Sequence, residues 1–344
     1  MSFELILPFL RPIEGLLKDP EVSEIMVNGS GRIFFERFGQ IEAANGVSIP
    51  EKTLQVGVQN IARRLGDEIS DEKPLLDSRL PDGSRVAAVM PPCSIGGTTL
   101  AIRKFHTKLY TADELVRNGS VPESVMDELR GAVASRRNIV ISGGTSTGKT
   151  TMLNALATFI ENDQRIVMIE DTAEIQLDHD NLVSLEARRE QPGQPAVTIR
   201  DLLRTTLRLR PDRIILGEVR GGEAFDLLQA LNTGHSGTLC TIHANSAQQA
   251  INRFTSCVLQ SGVELPYHAI RSSIGDSIDL LLHIERHQGK RRISELVEVK
   301  RFSAAEDVFE FRVLYEIDPN GETTPWTKTP HHSTYGRTSS RATA

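Results

Sequence analysis

The sequence has few cysteines, and the three that it contains are far apart. Cys93, Cys240 and Cys257 form no C-x-x-C pair. Metal knuckles and disulfide frameworks need closely spaced or evenly paired cysteines, so the sequence disfavours both. Scattered thiols of this kind are typical of proteins in a reducing compartment, and we therefore expect a cytoplasmic location.

Long apolar runs are also missing, because no stretch of the sequence reaches the ~18 apolar residues that a transmembrane helix needs. Acidic Glu4 precedes the apolar segment near the start, and no small-residue cleavage site follows that segment. We therefore predict an amphipathic helix over 5–17 rather than a signal peptide. Since this helix lacks a strongly basic face, packing on its own domain is favoured over contact with a membrane surface.

The sequence also has no excess of basic residues, and it has few aromatic residues that could stack on nucleic-acid bases. The net charge is −6, and the chain has 4 tyrosines and 1 tryptophan. A single-strand-binding groove combines positive charge with aromatic platforms, and the phosphate backbone attracts basic proteins generally. We therefore expect no direct, specific nucleic-acid binding. Binding through a local basic patch is the alternative that the net charge leaves open.

The clearest positive signal is the stretch ISGGTSTGKTT, from Ile141 to Thr151, which contains G-x-x-x-x-G-K-T. It follows a predicted buried strand over 138–141 and precedes apolar residues at helical spacing over 152–160. A P-loop requires this context, so a turn that matches by chance is disfavoured. Lys149 is predicted to contact the β- and γ-phosphates of ATP, and the Thr150 hydroxyl to bind Mg²⁺. The predicted phosphate-binding residues are Gly143, Gly144, Thr145, Ser146, Thr147, Gly148, Lys149, Thr150 and Thr151.

The length suggests about two domains. Residues 1–120 mix helices and strands as a smaller α+β domain. Residues 121–318, which include a connector helix over 123–134, alternate strands and helices as a parallel α/β sheet does. The predicted fold class is thus α/β, with the P-loop in the larger C-terminal domain. The tail 319–344 is rich in Thr, Ser, Pro and His, and we predict that it is disordered.

Acidic residues follow two predicted strands of the second domain. Glu170 and Asp171 end the first of these strands, and the apolar segment Arg213–Leu216 leads to Glu218. Ligands of open α/β sheets bind at the carboxyl ends of strands, so all three are candidates. Glu218 is the predicted general base for the attacking water. The alternatives are a helix-start charge for the first pair, and a surface ion pair with Arg220 for Glu218.

Histidines and arginines add further candidates. His235 and His243 flank a predicted strand, but no acidic or thiol partner stands at ligand spacing, so a metal site is disfavoured. A histidine near a γ-phosphate can instead report its presence by a hydrogen bond. Arginine forks match phosphate oxygens. The arginine candidates are Arg79, Arg85 and Arg103 with Lys104 in the first domain, and Arg204, Arg208, Arg210 and Arg213 before Glu218.

Four motifs in order resemble the Walker A motif, Asp box, Walker B motif and His box of the traffic ATPases of type II and type IV secretion. They are GGTSTGKTT, IEDTAEI, LRLRPDRIILGEVRG and GHSGTLCTIHANS. The pattern RLPDGSRVAAVMPP…LAIRKF is most similar to TrbB-type conjugal-transfer ATPases, which are relatives of VirB-type secretion ATPases. The resemblance covers about residues 5–300, and the four-cysteine zinc module of the type II branch is missing from the sequence.

This resemblance implies a RecA-like C-terminal domain and a homohexameric ATPase that works with other secretion proteins, peripherally associated with the inner membrane. It implies that nucleotide and Mg²⁺ bind between the two domains. It also implies catalytic roles for Lys149, Glu170 and Glu218, and nucleotide contacts for Asp171, His243, Arg85 and Arg103. Two other functions stay open, namely a nucleotide-gated scaffold with negligible hydrolysis and a motor that grips single-stranded DNA.

Overall fold

The computed structural model describes residues 6–29, 31–105, 109–188, 190, 194–317 and 331–334. The chain divides into two compact units, Met1–Lys108 and Leu109–Ala344. The division thus falls before the expected boundary at residue 120. The reason is the helix Ala112–Arg117, which packs Ala112 and Leu115 into the hydrophobic core of the second unit.

The first unit begins with two short 3₁₀ turns, Leu7–Phe9 and Arg11–Ile13, and a helix α1 (Glu14–Lys18). Pro8 and Pro12 stand in the first turns of the two 3₁₀ segments. Proline lacks the N–H that a continuing helix would need at these positions. The predicted continuous helix over 5–17 is therefore wrong where the structure describes it.

A six-stranded antiparallel sheet forms the body of this unit, with the order β3-β2-β1-β6-β5-β4. Its strands are β1 (Val22–Val27), β2 (Arg32–Arg37), β3 (Gln40–Ser48), β4 (Leu75–Arg79), β5 (Arg85–Val89) and β6 (Thr99–Arg103). Helix α2 (Glu51–Arg64) buries Leu54, Val58 and Ile61 in a core shared with the sheet. This arrangement is the predicted α+β unit.

The second unit is built on a larger sheet with the order β15-β14-β13-β12-β7-β11-β10-β8-β9. Pairings from β9 to β12 are parallel, and those from β12 to β15 are antiparallel. Its strands are β7 (Ile139–Gly143), β8 (Ile166–Glu170), β9 (Leu182–Glu186), β10 (Arg213–Val219), β11 (Leu239–His243), β12 (Leu280–His287), β13 (Lys290–Ser303), β14 (Val308–Glu316) and β15 (His331–Thr334).

Helices cover both faces of this sheet. They are α3 (Ala112–Arg117), α4 (Glu123–Ala134), α5 (Lys149–Ala157), α6 (Ile199–Thr206), α7 (Glu223–Asn232), α8 (Ala247–Leu259) and α9 (Tyr267–Ser277). On β7, Ile139 and Ile141 face the core that contains α3, α4 and α5. Val140 faces the core that contains α6 to α9, because neighbouring strand residues point to opposite sides. The predicted α/β fold class is confirmed.

The tail predicted to be disordered contains one described strand. β15 pairs antiparallel with β14, so that Thr334 lies opposite Glu310 and His331 opposite Val313. These four residues extend the sheet at its edge, the rest of the tail lies outside the described residues, and its disorder stays a prediction. None of the helices in the described part of the chain has the length and apolarity to cross a membrane.

Candidate active site

The P-loop joins β7 to α5 through a tight reversal of the chain. A Cβ on Gly143 would lie 2.4 Å from the Ile284 carbonyl oxygen and 2.6 Å from Thr147 Oγ1, so a side chain has no room there. Gly148 stands at the N-cap of α5 with φ +99°, a conformation that favours glycine. Both glycines of the motif are therefore explained by close approach and by backbone conformation.

Lys149 supplies a buried cation to this loop. The residue as a whole is only 8% exposed to solvent. The ammonium donates to the Gly144 carbonyl oxygen at 2.8 Å and to the Gly143 carbonyl oxygen at 3.2 Å. Thr150 follows in the first turn of α5, where helix N–H groups and the dipole favour anions. The loop therefore fits the phosphate chain of a nucleotide, and Thr150 stands beside it in the first turn of the helix.

A β-bulge positions the carboxylate of Glu218. The register between β10 and β11 shifts between Leu216 and Val219, so β10 carries an extra residue there. The Thr241 hydroxyl donates to the Gly217 carbonyl oxygen at 2.6 Å and holds the bulge from β11. Bulges re-aim side chains and are common next to active sites. The bulge accounts for glycine followed by glutamate at the end of this strand.

Glu218 belongs to a cluster of charged side chains next to the P-loop. Its Oε1 lies 3.2 Å from His243 Nε2, and its Oε2 accepts from Arg220 Nη2 at 2.8 Å. Arg220 Nη1 also donates to Asp171 at 3.1 Å. His243 Nδ1 lies 3.4 Å from Lys149 Nζ. The structure thus brings together four predicted residues, which are Lys149, Asp171, Glu218 and His243. Arg220, which the sequence suggested only as a surface ion-pair partner of Glu218, links Glu218 to Asp171.

The electrostatics of this cluster favour a neutral histidine. Burial lowers the pKa of His243, and the neighbouring Lys149 ammonium lowers it further. A neutral imidazole with its hydrogen on Nε2 can donate to Glu218 and leave Nδ1 toward Lys149. The Glu218 side chain is 18% exposed, so it is partly withdrawn from water although it pairs with Arg220.

Glu170 has a different environment from Glu218. The residue is 3% exposed, and its Oε1 accepts the backbone N–H groups of Glu174 at 2.9 Å and Ile175 at 3.0 Å. Burial raises the pKa of Glu170 to about 7, against the opposing effect of these two N–H groups. A Cβ on Gly217 would come within 3.0 Å of Glu170 Cγ. Glu170 therefore organises the loop after β8 and packs beside the bulge.

Glu170→Gln should stabilise the ligand-free protein at pH 8 by about 1–3 kcal/mol, since it removes a buried ionisation. Between about pH 4.5 and pH 7 the folded chain holds more protons at Glu170 than the unfolded chain. The free energy of unfolding therefore falls in the wild type as the pH rises through this window, and is level above it. Urea denaturation at pH 5 and pH 8 tests this difference.

Exposed Glu264→Gln is the matched control for that measurement and should show no such pH-dependent gain. A Glu170→Gln protein whose stability relative to wild type is the same at both pH values would contradict a buried, raised-pKa carboxyl. The glutamine keeps a carbonyl oxygen for the two N–H donors, so the loop geometry is retained.

Arg85 and Arg103 lie side by side in the first unit. Arg79 pairs with Arg85 across β4 and β5, and Arg85 pairs with Arg103 across β5 and β6. Asp77 lies 3.6 Å from Arg85, and Glu24 lies 3.9 Å from Arg103. Like charges directly opposite each other destabilise a sheet. Within this row of three arginines the arginine–arginine pairs are therefore unfavourable by themselves, and the contacts with Asp77 and with Glu24, which lies opposite Arg103, partly offset them.

Two arginine candidates of the second unit have structural roles instead. Arg213 is 2% exposed and donates to the Gln164 side chain at 2.6 Å and to the Val133 carbonyl oxygen at 2.7 Å. Arg204 donates to Asp226 at 2.7 Å. Both residues lie close to Glu218 in the sequence. Arg213, however, is the first residue of β10, so it lies at the opposite end of that strand from Glu218.

A cleft of about 460 Å³ opens beside the P-loop. Its lining residues are Gly144, Thr145, His243, Ala244, Asn245, Gln249 and Arg253. Sequence reasoning missed Gln249 and Arg253, although they follow the His box at helical spacing on α8. Arg253 also donates to the Arg220 carbonyl oxygen at 3.3 Å, which ties α8 to the Glu218 cluster.

A P-loop between β7 and α5, with acidic residues at the ends of β8 and β10, defines a P-loop nucleotide-binding domain of the RecA type. Residues 10–305 match the family described as "Type II/IV secretion system protein". The chain belongs to this family. The predicted secretion ATPase and its similarity to TrbB-type proteins are confirmed.

Individual relatives agree with this membership. The conjugal transfer protein TrbB of Rhizobium radiobacter is 39% identical over 290 residues, which cover 83% of this chain and 86% of that protein. The type IV secretion system protein VirB11 of Brucella suis is 35% identical over 321 residues, 83% of this chain and 88% of that protein. The ATPase DotB of Legionella pneumophila shares the fold, with TM-score 0.55 and 18% identity over 92% of this chain and 82% of that one.

Proposed function

We propose that the protein is an ATP-hydrolysing motor of a conjugal transfer or type IV secretion machine. The observation that carries the proposal is the path from Glu218 through His243 to Lys149, with separations of 3.2 and 3.4 Å. A candidate base for water and the cation for the phosphates thus lie at one edge of the sheet. A nucleotide-gated scaffold with negligible hydrolysis would need no such carboxylate there.

In this proposal the P-loop residues 143–151 hold the phosphate chain of ATP. Thr150 and Asp171 lie at the edge of the sheet where we expect a magnesium ion. Their side chains would bind this ion directly or through a water molecule. Thr150 and Asp171 would thus hold a bound Mg²⁺, which would supply positive charge to offset the negative charge of the phosphates. The chain supplies the rest, since Lys149 and the N–H groups at the start of α5 position the phosphates.

The hydrolytic step is assigned to Glu218. Its carboxylate orients the attacking water or takes its proton, and Arg220 and His243 hold the carboxylate in place. His243 is also within reach of a phosphate held by Lys149, so it can sense the γ-phosphate by a hydrogen bond. Arg85 and Arg103 are proposed as further phosphate contacts, because an anion would relieve the repulsion within the arginine row.

We expect the working assembly to be a homohexamer that nucleotide stabilises by mass action. Native mass spectrometry of micromolar full-length protein with ATP and Mg²⁺ should show a six-subunit species, in larger proportion than without nucleotide. The Lys149→Ala variant should lose the increase caused by nucleotide. Monomer alone at saturating ATP and Mg²⁺ would contradict the proposed ring.

We propose a location at the cytoplasmic side of the inner membrane, where other secretion proteins would dock on the ring. The motor would couple turnover to DNA transfer or to pilus biogenesis. A motor that grips single-stranded DNA itself is the second candidate, and it is less favoured because of the net charge of −6. Tight binding to an oligonucleotide, lost steeply as salt rises, would support that candidate instead.

A further inference from the structure

An arginine from a distant hairpin contacts the P-loop. Arg291, near the start of β13, donates from Nε to the Ser146 carbonyl oxygen at 3.1 Å. Its Cδ also lies 3.3 Å from the position that a Cβ on Gly148 would take. The side chain therefore lies next to two of the loop residues that have positive φ, Ser146 at +58° and Gly148 at +99°.

The contact fixes the orientation of one peptide group in the loop. In a trans peptide the C=O and the following N–H point in opposite directions. A guanidinium bound to the Ser146 carbonyl oxygen therefore holds the N–H of Thr147 pointing away from Arg291. Ser146 is not a glycine, and its left-handed conformation costs free energy that surrounding contacts must offset. P-loops bind phosphate through backbone N–H groups that point into the loop.

The stability of the hairpin does not explain an arginine at this position. Arg291 lies opposite Arg286 in the β12–β13 register, and like charges in that position are unfavourable. The adjacent Arg292 instead makes a two-pronged contact with Glu285, with both nitrogens at 2.8 Å. Within the described ranges no carboxylate lies within ion-pair distance of Arg291. Among the described residues, the Arg291 guanidinium therefore makes its hydrogen bond to the P-loop.

We propose that Arg291 is a positioning residue of the nucleotide site, which orients the Ser146–Thr147 peptide for the diphosphate moiety of a nucleotide. The inference rests on the proposed function, because it assigns the loop a phosphate ligand. It differs from a direct nucleoside contact, since the effect of Arg291 passes through the loop N–H. Binding of inorganic pyrophosphate, which has no nucleoside, separates the two.

The test compares Arg291→Ala with Arg301→Ala, an exposed arginine further along the same strand that pairs with Glu310. Isothermal titration should show the dissociation constants of ATP, ADP and pyrophosphate each raised about tenfold in Arg291→Ala, or ~1.4 kcal/mol. We expect the ligand-free melting temperature of Arg291→Ala to stay close to wild type, because the side chain is exposed. Arg291→Lys should recover part of the affinity, and Arg301→Ala should bind as wild type does.

Three results would overturn the inference. Unchanged pyrophosphate affinity with weakened ATP binding would make Arg291 a nucleoside contact. Wild-type affinity for all three ligands would deny it any role in the site. A lowered ligand-free melting temperature, with Arg291→Lys restoring stability but not affinity, would make the contact purely structural. If the wild type itself bound neither ATP nor pyrophosphate, the proposed function would fail before the inference was reached.

Discussion

Lys149→Ala should lower kcat/KM for ATP by at least about 100-fold, because it removes the buried cation that we propose for the phosphates of ATP. In the structure the ammonium is held by the Gly143 and Gly144 carbonyl oxygens within hydrogen-bond distance of the loop backbone. Solvent cannot replace it readily, since the residue is 8% exposed. Steady-state phosphate release with saturating Mg²⁺ measures the effect.

Lys18→Ala is the control for that experiment. Lys18 makes a surface pair with Glu14 on α1, and its side chain is 62% exposed. Such pairs contribute little to stability, so turnover should stay at the wild-type rate. Lys149→Ala protein that hydrolyses ATP as fast as the wild type would refute the assignment of the P-loop.

Glu218→Gln should lower kcat by roughly 10²-fold or more, in line with the contribution of a general base, while ATP affinity stays within a few-fold. The amide keeps the shape of the side chain and can still accept from Arg220, but it takes no proton from water. Because we propose that Lys149 and the loop N–H groups hold the phosphates, the loss should fall on the transition state rather than on ground-state binding.

Glu170→Gln is the matched comparison, since Glu170 ends the neighbouring strand. We expect it to retain more activity than Glu218→Gln, because the Glu170 carboxyl accepts two backbone N–H groups of its own loop. Both variants should be assayed across a Mg²⁺ titration. A defect that high Mg²⁺ rescues indicates a role near the metal. If Glu170→Gln were inactive at every Mg²⁺ concentration and Glu218→Gln active, the two roles would be exchanged.

Local signals predicted much of the site. The P-loop lies between a strand and a helix, as its pattern requires, because glycines and an adjacent apolar run act over a few residues. The helix caps are equally local, since Thr198 caps α6 with Asp201 in a capping box and Ser246 caps α8. The helix predicted over 123–134 is α4 at the same residues. Each of these features depends on side chains within about one helical turn.

Features that depend on distant pairing could not be predicted in this way. The bulge at Gly217 needs the register of β10 against β11, and the row of arginines needs three strands in register. The contact between Arg291 and Ser146 joins residues that are 145 positions apart in the sequence. Strand β9 was missed because it is half-exposed, and a short segment without clear alternation carries little signal.

We propose that the P-loop holds ATP and that Glu218 drives its hydrolysis. Single-turnover phosphate formation, measured after acid quench with enzyme in excess over ATP, isolates the chemical step from product release. Glu218→Gln should bind the ATP yet form phosphate about 100-fold more slowly than the wild type. Equal single-turnover rates for the two proteins would contradict it.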